Sequence, residues 1–282
     1  MSNVFKDGLF DGKVCLVTGD GTGIGVAIAR ELGGLGATVI IASRKAANIE
    51  PAAAGLSKEL GRKVHGAICD IRDRDSVTAL FNSIIDEHGR IDVLVNNGGG
   101  QFFSPAEAIT PNGFDAVVGT NLTGTWNMIR GAADCWMLAN GGAIVNITML
   151  TQRTFTGMAH SHAARSGVEA LTRTLSVEWA NRDIRINCIA PGFIASSGLK
   201  RYPAGLDLMK NMVSLVPQKR AGTCEEIAWA AAYLAGPAGS YVTGQTWTVD
   251  GGKELWGDWW PIPDPDPIPK IEIPVEPWEN EA

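Results

Sequence analysis

Val14-Cys15-Leu16-Val17-Thr18-Gly19-Asp20-Gly21-Thr22-Gly23-Ile24-Gly25 is the stretch on which the fold turns. Its apolar, β-branched start predicts a strand, its glycines a tight turn, and the Ala-rich run after Gly25 a helix. A strand that passes through glycines into a helix brings backbone N–H groups and the positive helix end to one point, which suits a pyrophosphate. Gly19 permits the turn, Gly23 lets the backbone approach the phosphates, and Gly25 lets the helix pack close to the sheet. Thr18 and Ile24 belong to the same loop and are further candidate contacts.

Outward from this unit, short apolar runs at 14–17, 38–42, 64–68, 91–95, 143–147 and 185–189 alternate with longer stretches patterned at a 3.6-residue period. The alternation predicts an α/β architecture, a single doubly wound Rossmann domain with a parallel sheet whose strands are apolar on both faces because helices cover both. A long helix is expected over 158–181, where Ala164, Val168, Leu171, Leu175 and Trp179 share a stripe, and helical structure over 106–139. At 282 residues the chain is long enough to bury one sizeable core.

After Gly252 the composition changes. Residues 254–282 carry eight acids against the single base Lys270, and Pro261, Pro263, Pro265, Pro267, Pro269, Pro274 and Pro277 allow neither helix nor inner strand. The expected division is a domain over 1–253 and a Pro-rich extended C-terminal arm over 254–282. Trp256, Trp259, Trp260 and Trp278 are more aromatic surface than a solvated tail carries. They favour an arm docked over the active-site mouth or on a neighbouring subunit over a merely flexible terminus.

The net charge of −6, concentrated on that arm, argues against nucleic acid as a partner. Five cysteines (15, 69, 135, 188 and 224) are scattered singly, without a CxxC pair or metal-ligand spacing, so free thiols in a reducing compartment and no metal are expected. No apolar run approaches the roughly 18 residues of a membrane span. A soluble cytoplasmic protein without membrane contact is the expectation.

The second apolar run ends at Ala42-Ser43-Arg44-Lys45, where an acid would select the adenosine ribose of NAD. Arg44 instead offers a forked cation to a 2′-phosphate, with Ser43 as hydrogen-bond donor and Lys45 beside it, so NADP(H) is preferred over NAD(H). Asp20, a carboxylate inside the phosphate loop, counts against that preference.

These motifs, with Asp70 after the third run, Asn96-Asn97-Gly98-Gly99 after the fourth and Pro191-Gly192 after the sixth, resemble the short-chain dehydrogenase/reductase family over about 250 of the 282 positions. The resemblance implies that Asp70, with Ile71 beside it, and Asn97, with Gly98, hold adenine and the adjoining turn. It places Ile194 by the nicotinamide carboxamide and makes Asn121 a helix-bending residue that supports a proton-relay water. Within the family, Asn96-Asn97-Gly98-Gly99-Gly100-Gln101-Phe102 and His160-Ser161-His162-Ala163-Ala164-Arg165-Ser166-Gly167 look most like the 2,4-dienoyl-CoA and peroxisomal trans-2-enoyl-CoA reductases. The glycine triplet then reads as an enlarged floor for a thioester. The chain lacks a terminal Ser-Lys-Leu, so a peroxisomal address is not carried over.

The pattern breaks at the chemistry. The family's usual Tyr, Lys and Ser positions are filled here by Ser161, Arg165 and, depending on a one-residue gap, Thr148 or Met149. Arg165 can hold ribose hydroxyls but cannot shuttle a proton, and Ser161 is a hydrogen-bond donor rather than an acid. His160 and His162 titrate near neutrality and flank Ser161, although a capping or packed role competes. Tyr202 lies in the presumed lid with Lys200, Arg201 and Lys210, which are candidates for CoA phosphates. Tyr233 reads as core, and Tyr241 stands where the family packs an aromatic. Glu169, one turn beyond Arg165, is expected to pair with it.

Without a phenol, putting a proton on a ketone oxygen is disfavoured, whereas alkene reduction in a thioester needs only donors for the enolate oxygen and a proton for Cα. The reading is therefore NADPH-dependent reduction of the C=C bond of a 2-enoyl- or 2,4-dienoyl-CoA-like thioester. Arg165 would position the ribose, Asn121 hold a water, and Ser161, Thr148 or His160 polarise the carbonyl. The alternatives are a carbonyl reductase or alcohol dehydrogenase using Tyr202 or His162, and a catalytically inactive cofactor-binding subunit. The partner is a small molecule, an acyl-CoA, and the wide stripes of 106–139 and 158–181 favour a homodimer or homotetramer.

Overall fold

A computed structural model of the chain describes residues 4–19, 21–197, 211–257, 260–267, 269–272, 274 and 276–280. Asp20, Lys200, Arg201, Tyr202, Lys210 and Trp259 lie outside the described residues. Seven parallel strands form one sheet in the order β3-β2-β1-β4-β5-β6-β7. They are β1 Val14–Thr18, β2 Thr38–Ser43, β3 Val64–Ile68, β4 Val93–Asn96, β5 Gly142–Ile147, β6 Ile184–Pro191 and β7 Thr246–Val249. The order reverses between β1 and β4, so a crevice opens at their carboxyl ends, where open α/β sheets bind ligands.

The first two crossover helices and the third, α1 Gly23–Gly34, α2 Ala46–Leu60 and α3 Arg74–His88, have built-in ends. Asp73 caps α3 by accepting the Asp75 N–H, and Gly61 and Gly89 end α2 and α3 in the left-handed conformation (φ 62° and 72°). The expected helical stretch over 106–139 divides. It starts with a 3-10 turn, Ala106–Ala108, then α4 Pro111–Val118 and α5 Thr125–Ala132, with π-helical segments Gly119–Gly124 and Ala133–Met137 and a last short turn, α6 Leu138–Asn140. α7 spans Ala159–Glu178, and α8, Cys224–Ala235, opens with a capping box between Thr223 and Glu226.

Two cores result, one on each face. One packs α1, α2 and α8 around Val17, Ile28, Leu32 and Leu56; the other packs α3 and α5 around Leu16, Phe81, Leu94 and Met128. The expectation of strands buried on both faces holds at the centre and fails at the edges. In β3, His65, Gly66, Ala67 and Ile68 alternate between half-buried and exposed, and all four residues of β7 are half-buried. β7 has no apolar run to announce it because it is an edge strand. At the opposite edge, the His65 and His88 rings meet edge-on at 4.7 Å and face Glu87 at 3.2 and 3.9 Å, a carboxylate also met by Lys63. Among the described residues, no helix is long and apolar enough to cross a membrane.

Residues after Gly252 pack on the rest of the chain. Glu254 is buried and accepts the Gln152 and Arg153 amides, and Arg153 Nη1 donates to the Trp256 carbonyl at 2.7 Å. Farther along, Glu276 meets Arg30 of α1 at 2.7 Å, and Trp278 is buried within the core formed by α1, α2 and α8. The expected alternatives, the active-site mouth or a second subunit, did not include this seat.

Candidate active site

Chain direction alone brings the first elements of the site together, because β1 and β4 run parallel and end side by side. The Thr18 hydroxyl accepts the Asn97 and Gly98 N–H groups at 3.1 and 2.9 Å, and Asn97 Nδ2 donates to the Thr18 carbonyl at 2.9 Å. Asn97 thereby wedges between two glycines of the loop. A Cβ on Gly25 would stand 2.5 Å from Asn97 Nδ2, and one on Gly19, which has φ +145°, would overlap the same atom. Gly23 (φ +59°) faces Ser196 and Ser197, and Ile24 is half-buried in the first turn of α1.

Ser43 is buried at the end of β2, while Arg44 and Lys45 are exposed ahead of α2. Asp70 is gripped by Arg72, with bonds of 2.5 to 3.2 Å; together with the Arg44 charge this holds its carboxyl below the usual range, against the partial burial that raises it. Ile71 packs over Gly124 of the π-helical segment. Across the crevice, Pro191 ends β6, Gly192 lets β7's successor Asp250 approach to 2.6 Å of where a Cβ would be, and Ile194 is buried.

Among the described residues, Ser197 Oγ beside Gly23 and Arg165 Nη1 are buried polar atoms with no hydrogen-bond partner. Buried polar groups are rarely left unmade, so a polyanionic ligand with hydroxyls fits the donor set that these residues present. A nicotinamide dinucleotide has that chemistry, with phosphates for the loop and Ser197 and ribose hydroxyls for Arg165.

Arg165 is the least expected arrangement. Its guanidinium is buried, and burial pulls its pKa down to about 10. It occupies the space a Cβ on Gly99 would need, a position also 2.9 Å from Asn121 Oδ1. The glycine triplet is therefore not simply an enlarged floor. Gly98 lets the backbone reach Thr18, Gly99 makes room for Arg165, and only at Gly100 would a Cβ meet nothing within 4 Å.

Asn121 sits in the π-helical segment, so the helix is irregular where a bend was expected, and its side chain is bonded to the Gly100 backbone. Oδ1 accepts the Gly100 N–H at 3.0 Å, and Nδ2 donates to the Gly100 carbonyl at 3.1 Å and reaches Ser161 Oγ at 3.5 Å. Ser161 is fully buried and donates to Gln101 Oε1 at 2.9 Å, with Met149 Sδ 3.7 Å away. Gln101 was not singled out by sequence reasoning. It is exposed, and it carries the Ser161 hydrogen bond to the surface of the cleft. Its position directly after the glycine triplet was the available signal.

Four residues expected at or beside the site make contacts that the sequence did not announce. Thr148 turns away from Ser161, because its hydroxyl donates to the Ile189 carbonyl at 3.2 Å and faces Glu169 at 3.4 Å; Met149 is the neighbour of Ser161 instead. Glu169 does not pair with Arg165. Both its oxygens accept from Thr151 at 2.8 Å, and burial pushes its carboxyl above the usual range despite those bonds. His160 is buried, its Nδ1 accepting the Ser161 N–H at 2.7 Å and its ring edge-on to Phe102 at 4.4 Å. Its Nε2 is buried and makes no hydrogen bond among the described residues. His162 Nε2 meets the Arg153 carbonyl at 3.1 Å. Of the other phenols, Tyr233 packs on Trp247 as expected of a core residue, while Tyr241 is fully exposed rather than packed.

Burial holds His160 below the usual histidine range, so the folded chain keeps it neutral where the unfolded chain would protonate it. Stability is then full above about pH 6.5 and falls as the pH drops through the folded-state value. His65 shifts the same way. In urea melts, the loss between neutral pH and pH 5 should be smaller in His160→Asn than in the parent; an equal loss would remove His160 from the acid limb.

A family model described as Enoyl-(Acyl carrier protein) reductase matches residues 19–254. The peroxisomal 2,4-dienoyl-CoA reductase of Pongo abelii is 36% identical over 255 residues, covering 90% of this chain and 87% of that protein. The 3-oxoacyl-[acyl-carrier-protein] reductase of Chlamydia trachomatis is 36% identical over 247 residues, 87% of this chain and 98% of that one. Among solved structures, a citronellol catabolism dehydrogenase from Pseudomonas aeruginosa superposes with a TM-score of 0.80 at 39% identity, covering 89% of this chain and 99% of that chain.

Proposed function

The chain belongs to the short-chain dehydrogenase/reductase family of NAD(P)(H)-using oxidoreductases, and from that premise we propose that it reduces the C=C bond of a 2-enoyl- or 2,4-dienoyl-CoA-like thioester with NADPH. The observation that carries this reading is the Ser161–Gln101 pair standing where an acid would be needed for ketone reduction. When bound, the reduced nicotinamide supplies a hydride to the alkene. The residues of this chain have to meet the negative charge that then develops on the thioester oxygen. Gln101, oriented through Oε1 by Ser161, presents its amide N–H groups to that oxygen, and the Cα proton comes from solvent. Arg165 holds the ribose, and the Asn121–Gly100 bonds keep the glycine strip in place.

Arg44 and Ser43 support the preference for NADPH, since a forked cation beside a buried hydroxyl at the end of β2 suits a 2′-phosphate. The likenesses to dienoyl-CoA reductases support the thioester. A homodimer or homotetramer through α4, α5 and α7 belongs to the same reading, with exposed Phe114 and Val177 on those helices.

A second reading, alcohol–carbonyl interconversion, is favoured by the likeness to the citronellol dehydrogenase and requires a relocated acid such as Tyr202. The test is NADPH oxidation with enoyl- and dienoyl-CoA esters beside matched ketones and aldehydes. Turnover on the thioesters is expected; turnover on carbonyls alone would replace the proposal with the second reading. Gln101→Leu should lower thioester turnover about tenfold, the value of one neutral hydrogen bond, and Ser161→Ala by less. Full activity in Gln101→Leu would remove the amide from the reaction.

A further inference from the structure

Trp278, near the chain's end, reaches the phosphate loop. Its Nε1 donates to the Gly21 carbonyl at 3.3 Å, across 257 positions of sequence. The ring is buried against Gly55 of α2, where a Cβ would overlap the indole, and Gly55 is the only kind of residue that leaves this seat open. Just before it, Glu276 closes on Arg30 of α1 at 2.7 Å, and Arg30 also holds Glu59 of α2 at 2.7 Å. The end of the arm thus ties together the two helices that flank the loop.

Gly21 has φ +76°, and a Cβ there would meet Ala52 at 2.8 Å and the Asn48 carbonyl at 2.9 Å. The peptide that joins Gly21 to Thr22 is planar, so its carbonyl and the Thr22 N–H point in opposite directions. Holding the carbonyl toward Trp278 therefore aims the Thr22 N–H away from the arm, and Thr22 is the N-cap of α1, at the helix end that receives a phosphate.

We propose that Trp278 is a positioning residue for the dinucleotide, setting the phosphate loop through Gly21 so that cofactor affinity depends on the C-terminal arm. The inference rests on the nicotinamide-dinucleotide reading of the cleft.

Calorimetric titration of the full chain with NADPH, and amide hydrogen exchange of the loop without it, test this. Trp278→Ala should raise the dissociation constant about tenfold, the effect of a lost hydrogen bond with its supporting contact, and speed exchange at Gly21–Gly25. Trp278→Phe keeps an aromatic ring in the seat but lacks the donor to the Gly21 carbonyl, so it should recover only part of the affinity. Gly55→Leu fills the seat without touching the arm; it improves the intrinsic propensity of α2, yet should copy Trp278→Ala. Unchanged affinity and exchange in both Trp278→Ala and Gly55→Leu would overturn the proposal. If the parent chain binds no NADPH or NADH, the cofactor reading fails, while the exchange measurement still decides whether Trp278 sets the loop.

Discussion

Arg165→Met is expected to raise the melting temperature and to lower turnover by about 10–150-fold, the loss of one charge-assisted hydrogen bond to the ribose, about 1.5–3 kcal/mol. The two effects have one cause. Among the described residues the guanidinium has no ion-pair partner, one of its nitrogens makes no hydrogen bond, and burial alone pulls its pKa down to about 10. Keeping that charge out of water costs the fold, and a hydrophobe of similar length relieves the cost by about 1–4 kcal/mol. In a chain of this size each kcal/mol shifts the melting temperature by about 2–4 °C. The same charge is what the cleft offers to ribose hydroxyls, so stability and activity should move in opposite directions. Calorimetry and steady-state kinetics on one preparation check both. A lower melting temperature would mean that the guanidinium is well partnered, and turnover within threefold of the parent would mean that it is dispensable.

Gly25→Val should abolish measurable cofactor binding and destabilise the fold. At this position even a Cβ stands 2.5 Å from Asn97 Nδ2, and the Asn97 side chain is already held by the Thr18 carbonyl. Neither the helix nor β4 can yield without breaking that bond, and forced packing of this kind costs about 1–3 kcal/mol. A displaced loop loses its charge-assisted bonds to phosphate, each worth about 1.5–3 kcal/mol, so losing two weakens binding at least about 100-fold. Combining Gly25→Val with Asn97→Ala should return part of the stability, because the wedge is gone, but not the affinity. Titration calorimetry and urea melts read the two quantities, and a variant that binds as tightly as the parent would show that the close approach is not required.

The parts of the molecule that were legible in the sequence are those set by neighbours along the chain. The strand–glycine–helix unit at Val14–Gly25, the alternation that gives a parallel sheet and the turn at Pro191-Gly192 depend on local backbone chemistry. So does the position of Asn97 at the end of β4, beside the loop it wedges. What escaped the sequence depends on which distant residue fills a space. Whether Thr148 or Met149 meets Ser161 is a one-residue question that only the path of the loop after β5 answers. Glu169 lies one turn from Arg165 along its helix, yet its carboxylate bonds to threonines 18 and 21 residues away. β7 was missed because an edge strand needs no apolar run. The seat of Trp278 follows from the absence of a side chain at Gly55, which reads as nothing in particular until the arm is seen upon it.

The contact between Gly99 and Arg165 also fixes an order in which this site can be altered. With any side chain at 99 there is no room for the guanidinium where it now lies, so a residue larger than glycine is accommodated there once Arg165 has moved or been replaced. Changing Arg165 first leaves the space open, whereas changing Gly99 first displaces the guanidinium. A library that varies position 99 alone will therefore score it as less tolerant than one that varies both positions together.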